Sequence, residues 1–223
     1  MSQQLAFDLP VRPSLDRGDY FVSPSNAMAL ALIEDWPNWP QSKHVLYGPT
    51  GCGKTHLTHV WAAQSGAQIV SGVELAETDI SKLGQAAVAV EDLHLITDHP
   101  EAQTALFHLH NIMQSQGAPL LMTGTGRPQI WGITLPDLLS RIQGARTAHL
   151  EEPDDQLFLS LLAKLFADRQ LVPTPDVLSF LVTRIDRSYE AARSIVRDID
   201  RLALEQKRPI TRAFVSRLFI NLE

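Results

Sequence analysis

The chain has 223 residues, enough for one α/β core with a smaller appended domain. A formal net charge of −6 argues against a free-standing DNA-binding face, which needs a basic stripe. The one cysteine, Cys52, excludes an intrachain disulfide and a paired-cysteine metal site, while no stretch approaches the roughly 18 apolar residues of a membrane span or the pattern of a signal peptide, so a reducing cytoplasm is the expected compartment.

Residues 1–19 lack periodicity and are interrupted by Pro10 and Pro13, which predicts a flexible tail. Residues 24–36 read as a helix, with Ser23 as N-cap, Pro24 in the first position, and Ala27, Leu30, Ala31 and Ile33 on the buried side. Pro37 ends it. His44-Val45-Leu46-Tyr47 predicts a short strand, and the next eight residues, Gly48-Pro49-Thr50-Gly51-Cys52-Gly53-Lys54-Thr55, spell G-x-x-x-x-G-K-T. Residues 55–63 follow as a helix, with Leu57, Val60 and Trp61 at three- and four-residue spacing. Strand, glycine-rich turn and helix in that order form the context of a phosphate-binding loop. Its glycines let backbone N–H groups turn toward phosphate oxygens, and the helix N-terminus adds positive potential. Lys54 is placed to reach the β/γ phosphates and Thr55 to set its hydroxyl on Mg²⁺. Cys52 reads as a small loop residue, not a nucleophile.

Further along, residues 68–70 predict a second strand and residues 72–84 a short helix or loop. The apolar run 86–90 suits a buried central strand ending in Glu91-Asp92. Residues 102–116 are helical, with Leu106, Leu109 and Met113 spaced for burial; 119–123 form a strand that leads into Gly124-Thr125-Gly126-Arg127. A short helix covers 135–142, and His149-Leu150 starts a last strand. From Glu152 the strands disappear, and helices are expected over 154–170, 175–187, 188–206 and from Thr211 onward. The alternation predicts a P-loop parallel αβα sandwich followed by a small all-helical domain.

Carboxylates at a strand end beside a phosphate loop can hold Mg²⁺, mostly through its waters, and polarise an attacking water; Glu91 and Asp92 fit this, Asp92 as the catalytic member. Arg141 ends the short helix in Leu138-Leu139-Ser140-Arg141, and Arg193 lies early in the helix that begins near Tyr189. Read alone, each is as well explained as a surface ion-pair arginine. His108 and His110 cannot share a helix face, and His56 with His59 has no third ligand, so no zinc site is expected.

In these segments the chain resembles the AAA+ ATPases, and within them the DnaA/Hda family of bacterial replication proteins, over nearly its whole length. The segment Tyr20-Phe21-Val22-Ser23-Pro24-Ser25-Asn26 is similar to the family's adenine-side box, the glycine-rich loop to Walker A, and Glu91-Asp92 to Walker B, although the family usually has aspartate first. Thr123-Gly124-Thr125 falls on sensor 1 without the family's aspartate or asparagine. Arg141 falls on the arginine-finger position and Arg193 on the sensor 2 arginine of the helical lid. The resemblance implies ADP or ATP with Mg²⁺, bound by Phe21, Val22, Asn26, the loop with His56, and Arg193. It divides the chain into a tail (1–19), a nucleotide-binding domain (20–151) and a lid (152–223).

Gln4-Leu5-Ala6-Phe7-Asp8-Leu9 is similar to the sliding-clamp-binding peptide of the family's short members. Leu5, Phe7 and Leu9 would fill an apolar pocket of the clamp's β subunit while Gln4 bonds at its rim, with affinity on the order of micromolar. The helix-turn-helix domain of full-length initiators would lie beyond Glu223, so DNA contact is expected only through the clamp. The implied function is regulation of replication initiation: Arg141 stimulates ATP hydrolysis by a neighbouring DnaA, while the chain's own turnover is poor because Glu91 and Thr125 depart from the family pattern. An ATPase acting by its own hydrolysis, or a helicase loader or transposition helper, is the alternative. A homo-oligomer is compatible with either, and no membrane partner is expected.

Overall fold

A computed structural model of the protein describes residues 15–220. Five parallel strands, β1 (Lys43–Gly48), β2 (Gln68–Ser71), β3 (Val88–Glu91), β4 (Leu120–Thr125) and β5 (Arg146–His149), lie in the order β2-β3-β4-β1-β5. β1 lies between β4 and β5, with Val45 opposite Met122 on one side and Thr147 on the other. The period-two alternation of strand side chains sorts residues onto two faces. Val45, Val88, Val90, Leu120 and Met122 point to one face. There they meet Leu106, Leu109 and Met113 of α4 (Pro100–Gln116) and Leu138 and Ile142 of α5 (Pro136–Gly144). Leu46, Ala89, Leu121 and Ala148 point the other way, onto α1 (Ala27–Glu34) and α2 (Lys54–Ser65). A short α3 (Ile80–Leu83) follows β2. Both faces are covered, as a parallel sheet requires. The fold class is the one expected from the alternation.

α6 (Asp155–Asp168), α7 (Pro175–Val182), α8 (Tyr189–Gln206) and α9 (Arg212–Ile220) share a separate apolar cluster built from Phe158, Leu162, Val177, Leu181, Ile195, Ile199 and Val215. Their starts are locally coded. Asp154 accepts from Leu157 N–H at 2.8 Å and Ser188 from Ala191 N–H at 3.1 Å, side-chain caps worth about 1 kcal/mol each.

Several boundaries differ from the sequence expectation. α1 starts at Ala27, not Pro24, because Asn26 folds back on the preceding turn: its Oδ1 accepts from Ser23 N–H at 2.9 Å and its Nδ2 donates to Phe21 O at 2.8 Å. The buried side is therefore Ala29, Leu30 and Ile33, with Ala27 and Ala31 exposed. β4 runs on to Thr125, and α7 stops at Val182. Residues 17–19, expected within an irregular tail, form a 3₁₀ turn fastened by Arg17 to Glu34 at 2.6 Å and Asp19 to Lys164 at 3.2 Å. The clamp-peptide residues Gln4, Leu5, Phe7 and Leu9 lie outside the described residues. Among the described residues, no helix is long and apolar enough to cross a membrane.

His44 is fully buried in β1, its ring 4.9 Å from that of Trp39, which in turn stacks on Trp61. Neither ring nitrogen has a partner. Burial, with Arg146 adding to it, holds the imidazole down at about 4. A pKa lowered by folding means the unfolded chain takes the proton first, so stability is complete above about pH 6.5 and is lost as pH falls toward 4. The loss from this group is on the order of 3 kcal/mol. His110, also held at about 4, adds a second contribution. His44→Phe should remove roughly half of the fall in melting temperature between pH 7 and pH 5. An unchanged slope in thermal melts would show that His44 does not carry it.

Candidate nucleotide site

The loop between β1 and α2 is shaped by its glycines. Gly51 and Gly53 have φ of 75° and 101°, left-handed values that side chains rarely adopt. Gly51 is doubly constrained, because a Cβ there would overlap the Ser188 side chain, and its carbonyl accepts from Tyr189 N–H at 3.3 Å. The loop is thus fastened directly to the start of α8. No side chain caps the N-terminus of α2, which leaves its first-turn N–H groups directed at the loop's concave side. Lys54 is buried, and its Nζ donates to Gly48 O at 3.1 Å and Pro49 O at 2.7 Å, so the ammonium is already drawn over the loop. The Cys52 side chain packs inward with Leu46 and Leu57, and burial pushes its thiol up, which suits a structural residue.

Above the loop lies a cavity of about 550 Å³, in the range of small-molecule sites. Thr50, Gly51, Cys52, Gly53, Lys54, Thr55 and His56 form its floor, Tyr20, Phe21 and Asn26 one wall, and Leu157, Leu161, Tyr189, Glu190 and Arg193 the opposite wall. Phosphates fit the floor and a base fits the apolar gap between Phe21 and the two leucines. Asn26 lines this gap, but both ends of its amide are occupied by the backbone of Ser23 and Phe21, so its work is to shape the wall. Val22 is 52 % exposed and contributes no wall. Gly48 and Pro49 take part through the carbonyls that hold Lys54.

The two carboxylates differ. Asp92 lines the cavity, with a left-handed φ of 59° and its N–H 3.4 Å from Thr123 Oγ1. Glu91 sits behind it with Oε1 buried and unpartnered; burial pushes its carboxyl up, a hydrogen bond with Thr55 opposes this, and Asp92 adds to the rise. Thr55, Glu91 and Asp92 thus form an oxygen-rich corner beside the phosphate floor, a donor set suited to Mg²⁺ that keeps its waters and phosphate ligands.

His94 was not singled out in the sequence: its Nδ1 accepts from Thr125 N–H at 3.2 Å and it faces the cavity beside Asp92. It stands one turn beyond the acidic pair, where no motif marks it. Gly124 is required because a Cβ would overlap the Trp131 ring, whose Nε1 donates to Thr125 O and Gly126 O at 3.0 Å. Arg141 is absent from this cavity. It lies near the opposite end of β1, beside Lys43, its Nη1 donating to Gln114 Oε1 at 3.0 Å and its guanidinium 5.1 Å from the Phe107 ring centre.

No protein-family model matches the chain. By sequence it is 22 % identical over 223 aligned residues to the chromosomal replication initiator protein DnaA of Cutibacterium acnes, with 90 % of this chain and 45 % of that protein covered. The chain therefore spans less than half the length of that relative. It is 25 % identical to an uncharacterised protein of Haemophilus influenzae, covering 91 % of this chain and 92 % of that one. Among solved structures it resembles domain III of the Thermotoga maritima replication initiation protein DnaA, with a TM-score of 0.81, 19 % identity, and 96 % and 98 % of the two chains covered. It also resembles a replication initiator DnaA bound to AMPPCP and single-stranded DNA, with a TM-score of 0.72, 18 % identity, and 88 % and 68 % covered. The chain has the AAA+ fold of the DnaA nucleotide-binding domain.

Lys54→Ala removes the buried side-chain charge drawn over the loop and should cost about 2–4 kcal/mol of nucleotide binding, as for other desolvated charged contacts. Equilibrium titration with labelled ADP and ATP measures it. Unchanged affinity would take the loop out of the site.

Proposed function

We propose that this chain binds an adenine nucleotide at the loop and, held on the sliding clamp, stimulates ATP hydrolysis by DnaA, thereby inactivating the initiator. The observation that carries this reading is the position of Arg141. Gln114 Oε1 accepts from Arg141 and also from Lys43 Nζ, at 3.2 Å, and Lys43 is the first residue of β1. The phosphate loop leaves the other end of the same six-residue strand, about 16 Å away at 3.3 Å per residue. Arg141 cannot reach across that strand to its own phosphates. A phosphate it touches belongs to another molecule, where a guanidinium neutralises charge developing on the transferred γ-phosphoryl group. Arg193, on the cavity wall, serves its own nucleotide from α8.

Within the chain, Lys54 and the N-terminus of α2 would bind phosphate, Phe21 and Leu157 would exclude water from the base, and Asp92, which lines the same cavity, would orient a water. Mg²⁺, when bound, would supply charge neutralisation at the β/γ phosphates, held at the corner of Thr55, Glu91 and Asp92. Glutamate at the first acidic position and threonine at sensor 1 support slow turnover of the chain's own nucleotide. The clamp attachment rests on Gln4, Leu5, Phe7 and Leu9.

Arg141→Ala should keep nucleotide affinity while stimulation of ATP-loaded DnaA, measured in single turnovers with clamp and DNA, falls by about 10³ or more. Stimulation equal to the parent would remove the mechanism and favour an ATPase that acts by its own hydrolysis. Changing Gln4, Leu5 and Phe7 together to alanine should abolish binding to immobilised clamp without altering the melting temperature. Parental clamp binding by that variant would exclude the peptide.

A further inference from the structure

The surroundings of Arg141 contain more than an exposed arginine. Two cationic side chains converge on one oxygen, with Arg141 Nη1 at 3.0 Å and Lys43 Nζ at 3.2 Å from Gln114 Oε1. Arginine and lysine only donate, so the amide oxygen must face them and the amide NH₂ faces outward. Lys43 is 2 % exposed, and its Nζ also lies 3.5 Å from His110 Nδ1. That nitrogen therefore accepts, and His110 is neutral. Burial and then Arg141 lower the Lys43 ammonium to about 8, which leaves it protonated at pH 7. Among the described residues, no carboxylate forms an ion pair with Arg141 or Lys43.

Two cations without an acid need another source of negative potential. The last turn of α4 supplies it: Gln114 stands there, just before Gly117 closes the helix, and a helix C-terminus carries partial negative charge. An acid in the same place would hold Arg141 as firmly, but it would compete with an incoming phosphate for the guanidinium. A neutral amide oxygen fixes the arginine and leaves the net charge of the cluster positive.

We propose that Gln114 is a positioning residue for Arg141, its side-chain oxygen, oriented by buried Lys43, holding the guanidinium in the pose that meets the neighbour's phosphate. This rests on Arg141 acting on a neighbouring nucleotide. Gln114 itself touches no reacting atom, and its effect runs through Arg141.

The test uses the full chain with ATP-loaded DnaA, clamp and DNA, with single-turnover hydrolysis followed as the chain's concentration is raised. Gln114→Met keeps the length and helix preference of the side chain and removes the acceptor. It should lower the maximal rate between about 10- and 100-fold, the cost of misplacing a catalytic group by about an ångström. The half-saturating concentration and nucleotide affinity should stay at parental values, which loss of a docking contact would not allow. The melting temperature should fall because buried Lys43 loses an acceptor, and adding Lys43→Met should restore the melting temperature without restoring the rate. Lys43→Met, which leaves Gln114 held by Arg141 alone, should lower the same maximal rate by a smaller factor. If Gln114→Met keeps the parental maximal rate while Arg141→Ala abolishes stimulation, the positioning role is overturned and the finger stands. If Gln114→Met instead raises the half-saturating concentration at unchanged maximal rate, Gln114 is a docking contact and the inference is again overturned. Parental stimulation by Arg141→Ala would overturn the functional reading on which the inference rests.

Discussion

Strand β1 is the constraint on which the rest of the molecule depends. One end of it releases the phosphate loop, and the other begins at Lys43, against the C-terminal turn of α4 and the end of α5. Because its neighbours β4 and β5 hydrogen-bond to it on both sides, and because Val45 and Leu46 are fully buried in opposite cores, it can neither slide nor tilt alone. A nucleotide held at one edge and a guanidinium presented at the other are then parts of one rigid object. On the proposed function, such an object would stack against another of the same fold, with one molecule's arginine completing its neighbour's site.

A second contact ties the helical cluster to this frame. Gly51 touches Ser188 and accepts from Tyr189, so the loop that cradles phosphate is also the seat of α8. Arg193 follows one turn later on the same cavity wall. The cluster of α6 to α9 has its own apolar interior, and its attachment near the cavity includes this seam, Asp19 with Lys164, Asp154 with Ser23 and Ser25, and the leucines of α6 that line the cavity. A ligand filling that gap adds contacts to both sides, which is how occupancy can bias the relation between frame and helices.

The parts legible in the sequence were those with local or periodic causes. Strands β1 and β3, the loop glycines, and the burial of Leu57, Leu106 and Ile199 follow from short-range pattern, and so did the fold class. What escaped notice depends on one side-chain turn that no motif marks and on contacts between distant residues. Nothing near Ser23 reveals that Asn26 bonds backward to Phe21 and postpones α1. The pairing of His94 with Thr125 joins residues 31 apart, and that of Lys43 with Gln114 joins residues 71 apart. Gln114 reads in sequence as an unremarkable polar position near a helix end. Only the packing of three elements gives it two cations to hold.

The most direct test of the account is the separation between the chain's own nucleotide and its arginine edge. A nitroxide placed by Ser140→Cys in a Cys52→Ala background, with Mn²⁺-ADP bound at the loop, reports that separation by electron–electron dipolar coupling. The account predicts an intrachain distance of at least about 16 Å. When ATP-loaded DnaA carrying Mn²⁺ is added with clamp and DNA, a second and shorter distance should appear. A short distance within the isolated chain, or none gained in the complex, would contradict the assignment of Arg141 to a neighbour's phosphate.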